Sequence, residues 1–414
     1  MKVLIIGSGG REHALVSAVA ENSSVEVVFC APGNGGTHRE NKCENINITK
    51  IDELLSFALE NRIDITIVGS EEFLVQGIVD KFKENGLKIL GPSHKAARLE
   101  GSKAYSKEFM KKYGIKTAAY EVFENANEAT EYLKKCEYPI VIKADGLAAG
   151  KGVVICKDFT EAKTSINDFM VLDIFKGSGK KIVIEEFLDG VEASILSITD
   201  GKIILPFISS KDHKQIYDGD KGPNTGGMGA IAPNPYCNKK VLEEFQKQIL
   251  EPTLVGIKQE ALDYKGIIFF GIMITIKGVY LIEYNARLGD PETQAVLPLM
   301  KSDFMELVIS AIEGELVNFD LEWKAGYSCC VIAASKGYPG SYNTGFEISQ
   351  SSKLQGKLFL AGAKEEDNIL RTAGGRVLGI TAFAETLEGA RDIAYADMKK
   401  IKFQGMYYRT DIGK

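Results

Sequence analysis

The order of patterns in the first hundred residues constrains the fold more than any other feature of the sequence. Four short apolar runs, "KVLIIG", "VEVVFCA", "DITIVGS" and "KILG", are separated by "REHALVSAVAEN", "IDELLSFALENR" and "EEFLVQGIVDKFKENG", whose apolar residues recur at helical spacing. Strands alternating with helices of that length can bury both faces of a sheet only if the strands run parallel with helices packed on them. Gly91-Pro92 closes this unit. The chain has 414 residues, and at roughly 100–200 residues per domain two to four domains are expected.

Glycines 7, 9 and 10 fall at the first strand-to-helix turn, where backbone N–H groups and a helix N-terminus can hold an anion. The dinucleotide fingerprint needs a third glycine at position 12, where Glu12 stands, and no acidic residue follows the second strand to grip a ribose. A nicotinamide or flavin site is therefore disfavoured. Two readings stay open: a phosphate-bearing small molecule with Arg11 as partner, or a turn that is merely tight.

A helical pair, "HKAARLEGSKAYSKEFMKKYG", leads into a smaller unit of four strand-like runs and two helices that includes "VIKADGLAAGKGVVI". That stretch is not a P-loop, because Gly150 and Lys151 precede another glycine and a second strand rather than a helix. It reads as a hairpin with a glycine-rich turn, in a small module able to move as a lid. Long antiparallel candidates follow, "ASILSITDGKIILPF" and "IIFFGIMITIKGVYLIEYN", with a helix from Lys239 to about Leu262 between them. "LEWKAG" reads as a boundary before a small closing unit of several strands and the helix "LEGARDIAYADMKKI".

A formal charge of −6 with interspersed lysines and carboxylates argues against a nucleic-acid partner. Seven cysteines without C-x-x-C spacing suggest free thiols in a reducing cytosol rather than zinc or disulfides. No run approaches the roughly 18 apolar residues of a membrane span, so a cytoplasmic protein without membrane partners is expected. The absence of long heptads points to a monomer or a weak dimer.

Chemistry gathers in "YLIEYNARLGDPETQAVLPLM". Glu283, Asn285 and Arg287 alternate at a strand end, so all three face one way. A carboxylate and an amide oxygen suit a hard cation, and a guanidinium holds a carboxylate or phosphoryl oxygen in a fork. Lys143, inside a strand before the glycine turn, can meet phosphate, although the hairpin alone is also explained structurally. Glu185, Glu186, Phe187 and Leu188 form a strand end able to read an adenine edge, with Glu192 available to ribose hydroxyls. "SSKDHKQIYDGDKGPNTGGMGAIAPNP" reads as a functional loop, being longer than the roughly 12–15 residues of a plain connection, with Asp212, His213, Lys214 and Asn224 as its polar candidates. His213 is a weak candidate for a general base, and His13 is expected to cap or orient.

In this order, "GSGGREHAL", "LEGSKAYSKEFM", "VIKADGLAAGKGVVI", "IEEFLDGVEAS", "DHKQIYDGDKGPNTGGMGA", "IEYNARLGDPETQAVLPL", "ASKGYPG", "AGGRVLGI" and "YYRTDIG" resemble the ATP-grasp ligases, and among them the phosphoribosylamine–glycine ligase family. The resemblance implies an N-terminal parallel α/β unit (1–101), an ATP-grasp domain (102–325) with a lid at about 119–190, and a small mixed α/β C-terminal unit (326–414). It implies ATP and Mg²⁺ or Mn²⁺, with glycine and 5-phosphoribosylamine as substrates. Residue by residue, Lys103, Lys143, Lys151, Lys214 and Asn224 match nucleotide contacts, Glu185 to Leu188 the adenine hinge, Glu192 the ribose acceptor, and Glu283 and Asn285 the metal ligands. Arg287 and Asp212 match the catalytic and substrate side, and Gly9, Gly10 and Arg11 the sugar-phosphate turn. No further fused enzyme is expected beyond "YYRTDIG".

Two positions depart from that pattern. Gln215 stands where a basic residue commonly follows Asp-His-Lys, and "FFGIMITI" has no acid on the strand before Glu283-x-Asn285. The metal is thus expected to rest on few protein ligands.

Overall fold

The computed structural model describes residues 1–148 and 152–414. The first unit is parallel, as the alternation predicts. Strands Lys2–Gly7, Val27–Pro32, Cys43–Asn45, Ile65–Val68 and Ile89–Pro92 pair in parallel, with Lys2–Gly7 between the second and fourth. The inner runs are continuously apolar because helices cover both faces: Val3 to Ile6 are fully buried.

This sheet does not stop at Gly91-Pro92. Tyr264 and Lys265 pair antiparallel with Pro92 and Gly91, so the long strand Tyr264–Thr275 joins the parallel sheet to an antiparallel one. A Cβ on Gly266 would lie 2.8 Å from the Gly91 Cα, so the junction requires glycine against glycine. Beyond it, Tyr264–Thr275 is flanked by Val191–Thr199 and by its hairpin partner Gly278–Asn285. Nine strands thus form one surface shared by the first two units.

The segment expected as a lid is a separate antiparallel sheet, ordered Tyr120–Phe123, Ile182–Glu186, Ile140–Ala144, Val153–Cys156. The helices Ala126–Leu133 and Phe159–Ile166 close its own apolar core around Ile142, Phe169 and Ile184. Lys143 pairs with Val153 across the expected hairpin. Lys151, expected near the turn, lies outside the described residues.

The stretch expected as a functional loop, around Asp212 to Asn224, is instead structured. It contains the hairpin Gln215–Tyr217 and Lys221–Asn224, and strands Lys211–Asp212 and Gly229–Ala232. Gly229–Ala232 pairs with Tyr327–Ser335, placing it in the six-stranded sheet of the last unit. Sequence pattern could not find this strand: it is short, built of small residues, buried throughout, and paired about a hundred residues away. The end of the chain then grips the hairpin, where buried Arg409 donates to Asp220, Asp411 and the Gln215 carbonyl.

His213 is part of this framework rather than a base. It is buried, its backbone N–H donates to the Gly229 carbonyl, and its Nδ1 lies 3.3 Å from the same oxygen. Burial, aided by Lys211 and Arg409, brings its pKa down from 6.5 to about 4. Unfolded chains take this proton near 6.5 while the folded protein refuses it until about 4, so stability contributed at neutral pH is lost as the pH falls between those values. Urea unfolding at pH 7 and pH 4 is expected to show about 3 kcal/mol of acid destabilisation that His213→Gln abolishes. An unchanged pH slope in the variant would contradict this assignment.

Candidate functional site

The strand Gly278–Asn285 ends at the centre of two adjoining cavities. Both are lined by Glu283, Asn285 and Arg287, one of about 650 Å³ towards the first and last units and one of about 160 Å³ beneath the lid. Glu283 pairs opposite Gly271, where a Cβ would come within 3.2 Å of its Cγ, so glycine leaves room for the side chain. Burial would neutralise Glu283, but Lys214, Lys143, Lys103 and Arg287 hold its carboxyl below the usual range. An ionised carboxylate beside the Asn285 amide offers hard oxygen donors of the kind Mg²⁺ takes. Among the described residues no cluster of three or more His, Cys, Asp or Glu side chains suited to a metal occurs.

Arg287 shares those cavities, but its guanidinium is clamped by carboxylates of the first unit. Nε lies 3.1 Å from Glu71 and Nη2 lies 3.4 Å from Glu100. Glu100 also accepts the Ala286 N–H at 2.6 Å. The two acids diverge: burial pushes Glu100 up to about 7, whereas Arg287 and Arg11 overcome burial at Glu71 and draw it down to about 2. Neither acid was singled out from sequence, because nothing local in "GSEEF" or "ARLEGS" shows that both meet residue 287.

At the first turn the backbone donors are already engaged. The Gly9 N–H donates to Glu12 Oε2 at 2.6 Å and the Arg11 N–H to Asp290 Oδ2 at 3.3 Å, so protein carboxylates already take these donors. Glu12, standing where a third glycine would be, folds back over the turn and caps it from the N3 position alone, since Gly9 has no side chain to return the bond. The Arg11 side chain bonds Glu12 and the Leu288 carbonyl. A Cβ on Gly10 would come within 2.5 Å of Gln294 Nε2, so Gly10 serves packing between the first two units. Gly9 does line a further cavity of about 660 Å³ with Asp290, Tyr338 and Arg376. His13 orients, as expected: Nδ1 accepts the Leu360 N–H at 2.8 Å and Nε2 lies 3.1 Å from Glu40, joining the first unit to the last.

Asp212 lines the 650 Å³ cavity with one buried oxygen, Oδ1, lacking a hydrogen-bond partner among the described residues. Burial and the nearby Glu292 push its carboxyl well up. Gly227 must be glycine here, since its φ is +111° and a Cβ would meet Asp212 Oδ1 at 2.6 Å. Arg376 of the last unit fastens this corner, donating to the carbonyls of Gly226 and Asp290, with Nη2 3.3 Å from Asp290 Oδ1. Sequence reasoning quoted "AGGRVLGI" without assigning Arg376 a site.

A second cavity beneath the expected lid sheet, of about 220 Å³, is lined by Lys143, Glu185, Glu186, Phe187, Leu188, Glu192, Lys214 and Asn224 together with apolar Ile155 and Met273. Its apolar walls with polar groups at one end suit a flat heterocycle. Glu186 accepts the Ala119 N–H at 2.9 Å, and Lys214 Nζ lies 2.5 Å from Glu192. The Glu185 side chain turns inward, with Lys143 and Lys107 each 2.9 Å away, and its backbone lies in register between Tyr120 and Val141 of the neighbouring strands, so Glu186 to Leu188 are the part of this strand end left to meet an adenine edge. Lys103 lines the 160 Å³ cavity beside Lys107 and Lys143. Burial brings its ammonium down against the pull of Glu283. Lys107 is a further lysine that sequence reasoning missed, although it sits in the quoted "LEGSKAYSKEFM", one helical turn beyond Lys103.

Comparison with known proteins gives the family. Family models described as phosphoribosylglycinamide synthetase match in succession: the N domain over residues 1–100, the ATP-grasp (A) domain over 101–293 and the C domain over 328–414. The phosphoribosylamine–glycine ligase of Clostridium acetobutylicum is 64% identical over 414 residues, covering all of both chains. The crystal structure of phosphoribosylamine–glycine ligase from Thermotoga maritima matches with a TM-score of 0.89 at 38% identity, covering 100% of each chain. The biotin carboxylase domain of Hydrogenobacter thermophilus 2-oxoglutarate carboxylase, in complex with MgADP and bicarbonate, shares the fold at TM-score 0.75 and 18% identity, covering 98% of this chain and 91% of its own. With models for three successive domains matched and a full-length relative at this identity, the chain belongs to the phosphoribosylglycinamide synthetase family.

Proposed function

We propose that this protein joins glycine to 5-phosphoribosylamine at the expense of ATP, giving glycinamide ribonucleotide, ADP and phosphate in purine biosynthesis. The observation that carries the reading is the convergence of Lys103, Lys143 and Lys214 with Glu283, Asn285 and Arg287 on adjoining cavities, in a chain of this family. The adenine lies in the apolar slot against Phe187, Leu188 and Met273, with Glu192 near its ribose and Asn224 at the rim. Its phosphates run towards Lys143 and Lys103. A divalent cation, Mg²⁺ or Mn²⁺, would be held by Glu283 and Asn285 and would neutralise charge on the transferring phosphoryl group.

Phosphorylation of the glycine carboxylate gives glycyl phosphate, and the phosphoribosylamine nitrogen displaces phosphate from it. No side chain becomes a covalent nucleophile. Arg287, held by Glu71 and Glu100, presents its remaining N–H groups to the carboxylate or acyl phosphate. Asp212, with an unpartnered buried oxygen, takes the amine side. The cavity bounded by Gly9, Asp290 and Arg376 accepts the sugar phosphate. Most of the acceleration is assigned to alignment of the reactants and exclusion of water from a labile acyl phosphate.

The test is coupled ADP release with phosphoribosylamine generated in place. Release is expected only when glycine and the amine are both present. Release with formate or bicarbonate instead would assign a different carboxylate and overturn the reading. Lys143→Met is expected to raise the ATP KM more than Lys151→Met, because Lys143 is fixed on a strand facing the slot; the opposite order would move the phosphate contact beyond the turn.

A further inference from the structure

The strand lysine facing the nucleotide slot shares its counter-ion with another lysine. Glu185, buried at the end of Ile182–Glu186, meets one ammonium at each oxygen, with Lys107 Nζ 2.9 Å from Oε2 and Lys143 Nζ 2.9 Å from Oε1. The three side chains are only 2–5% exposed. The lysines come from different bodies: Lys143 from the lid strand Ile140–Ala144, Lys107 from the helix Lys103–Lys112.

Their attachments are unequal. Lys107 has a second tie, since its Nζ donates to Thr117 Oγ1 at 2.7 Å and that hydroxyl donates to the Leu281 carbonyl at 2.6 Å. On the Lys143 side, Oε1 is within ion-pair distance yet is a buried oxygen without an aligned hydrogen-bond partner among the described residues. Lys143 also lines both the slot bounded by Phe187 and Leu188 and the cavity beside Lys103 and Glu283, whereas Lys107 lines only the latter. Lys107 thus has an additional tie at the closed end, whereas Lys143 has none beyond Glu185 among the hydrogen bonds and ion pairs of the described residues and stands where the cavities meet.

We propose that Lys107 is a positioning residue that keeps Glu185 paired when Lys143 leaves it for the phosphates of a bound nucleoside triphosphate. The inference rests on the nucleotide reading above. Two ammoniums on one carboxylate leave a surplus positive charge in a buried place, which an arriving polyanion can take. Were Lys143 the sole partner, moving it to phosphate would strand a buried carboxylate, and removing one member of a buried pair is costly. With Lys107 staying behind, Glu185 is neutralised before and after binding. Substrate binding then draws on a charge exchange instead of breaking a lone ion pair.

ATP affinity measured by titration calorimetry with Mg²⁺, alongside steady-state kinetics, tests this. Lys107→Met is expected to weaken ATP binding roughly 10- to 100-fold while kcat at saturating ATP changes by no more than about three-fold, because Glu185 then holds Lys143 alone. Lys107→Arg is expected to recover most of the loss. Adding Glu185→Gln to Lys107→Met removes the carboxylate that retains Lys143 and is expected to return affinity towards wild type. Unchanged affinity in Lys107→Met overturns the proposal. A loss that Glu185→Gln fails to relieve also overturns it, assigning Lys107 a direct or purely structural role. If Lys107→Met does not fold, the double variant decides alone, since it keeps the net charge of the group: near-wild-type affinity supports the exchange and a large loss refutes it. Wild-type protein that binds no ATP would instead sink the nucleotide reading itself.

Discussion

Replacing Glu283 by alanine is expected to lower kcat for glycine-dependent ADP release roughly 10²- to 10³-fold, about 3–4 kcal/mol of transition-state stabilisation. The carboxylate is ionised despite burial because four cations surround it, so its removal takes away more than a ligand. Lys103, Lys143, Lys214 and Arg287 would then face one another without their common anion, and the hard-oxygen donor set beside Asn285 would lose its charge. Glu283→Gln keeps the shape and an oxygen but not the charge, and it should fall nearly as far. Single-turnover assays at saturating ATP separate this loss of chemistry from weakened binding. Full activity in either variant would remove Glu283 from the reacting centre.

The largest expected effect on stability is at Glu185. Glu185→Gln leaves two buried ammoniums without an anion, and urea unfolding should show a loss of about 3–5 kcal/mol. In the wild-type protein Lys143 and Lys107 hold this carboxyl below the usual range against burial, which would raise it. Burial in turn brings Lys107 down to about 8 despite Glu185. The same substitution in a Lys107→Met background should cost far less, because only one cation is then left unpaired. Strict additivity of the two changes would show that the three side chains do not act as one group.

How much of this was legible in the sequence depended on distance along the chain. Strand and helix alternation before Gly91 exposed the parallel sheet, and the Asp-Gly and Lys-Gly turns exposed the antiparallel hairpins, because both signals are local. The quoted motifs pointed to the family, which the matches over residues 1–100, 101–293 and 328–414 support. Glu283, Asn285 and Arg287 were expected to share a face from period-two spacing, and they line the same two cavities. By contrast, Glu71 and Glu100 reach Arg287 across 216 and 187 positions, and Arg376 reaches Asp290 across 86. No local pattern encodes such pairs.

Where expectation failed, a distant partner had changed the meaning of a local pattern. The glycine-rich stretch after Asp212 reads as loop until Tyr327–Ser335 supplies the strand that pairs with Gly229–Ala232. The first turn, left open between an anion site and a turn that is merely tight, has its Gly9 and Arg11 N–H groups engaged by Glu12 and Asp290. His213 reads as a polar candidate until its burial behind Gly229 is seen.

The sequence by itself determined the locally patterned elements, their order and the family, because periodicity and turn chemistry act over a few residues and motifs carry identity. Only the tertiary structure decided which charges meet. It put two lysines on Glu185, two carboxylates on Arg287 and four cations around Glu283. The physical reason is that the ionisation and strength of a buried charge depend on its neighbours in space and on how completely water is excluded, and neither is written in the spacing of residues along the chain.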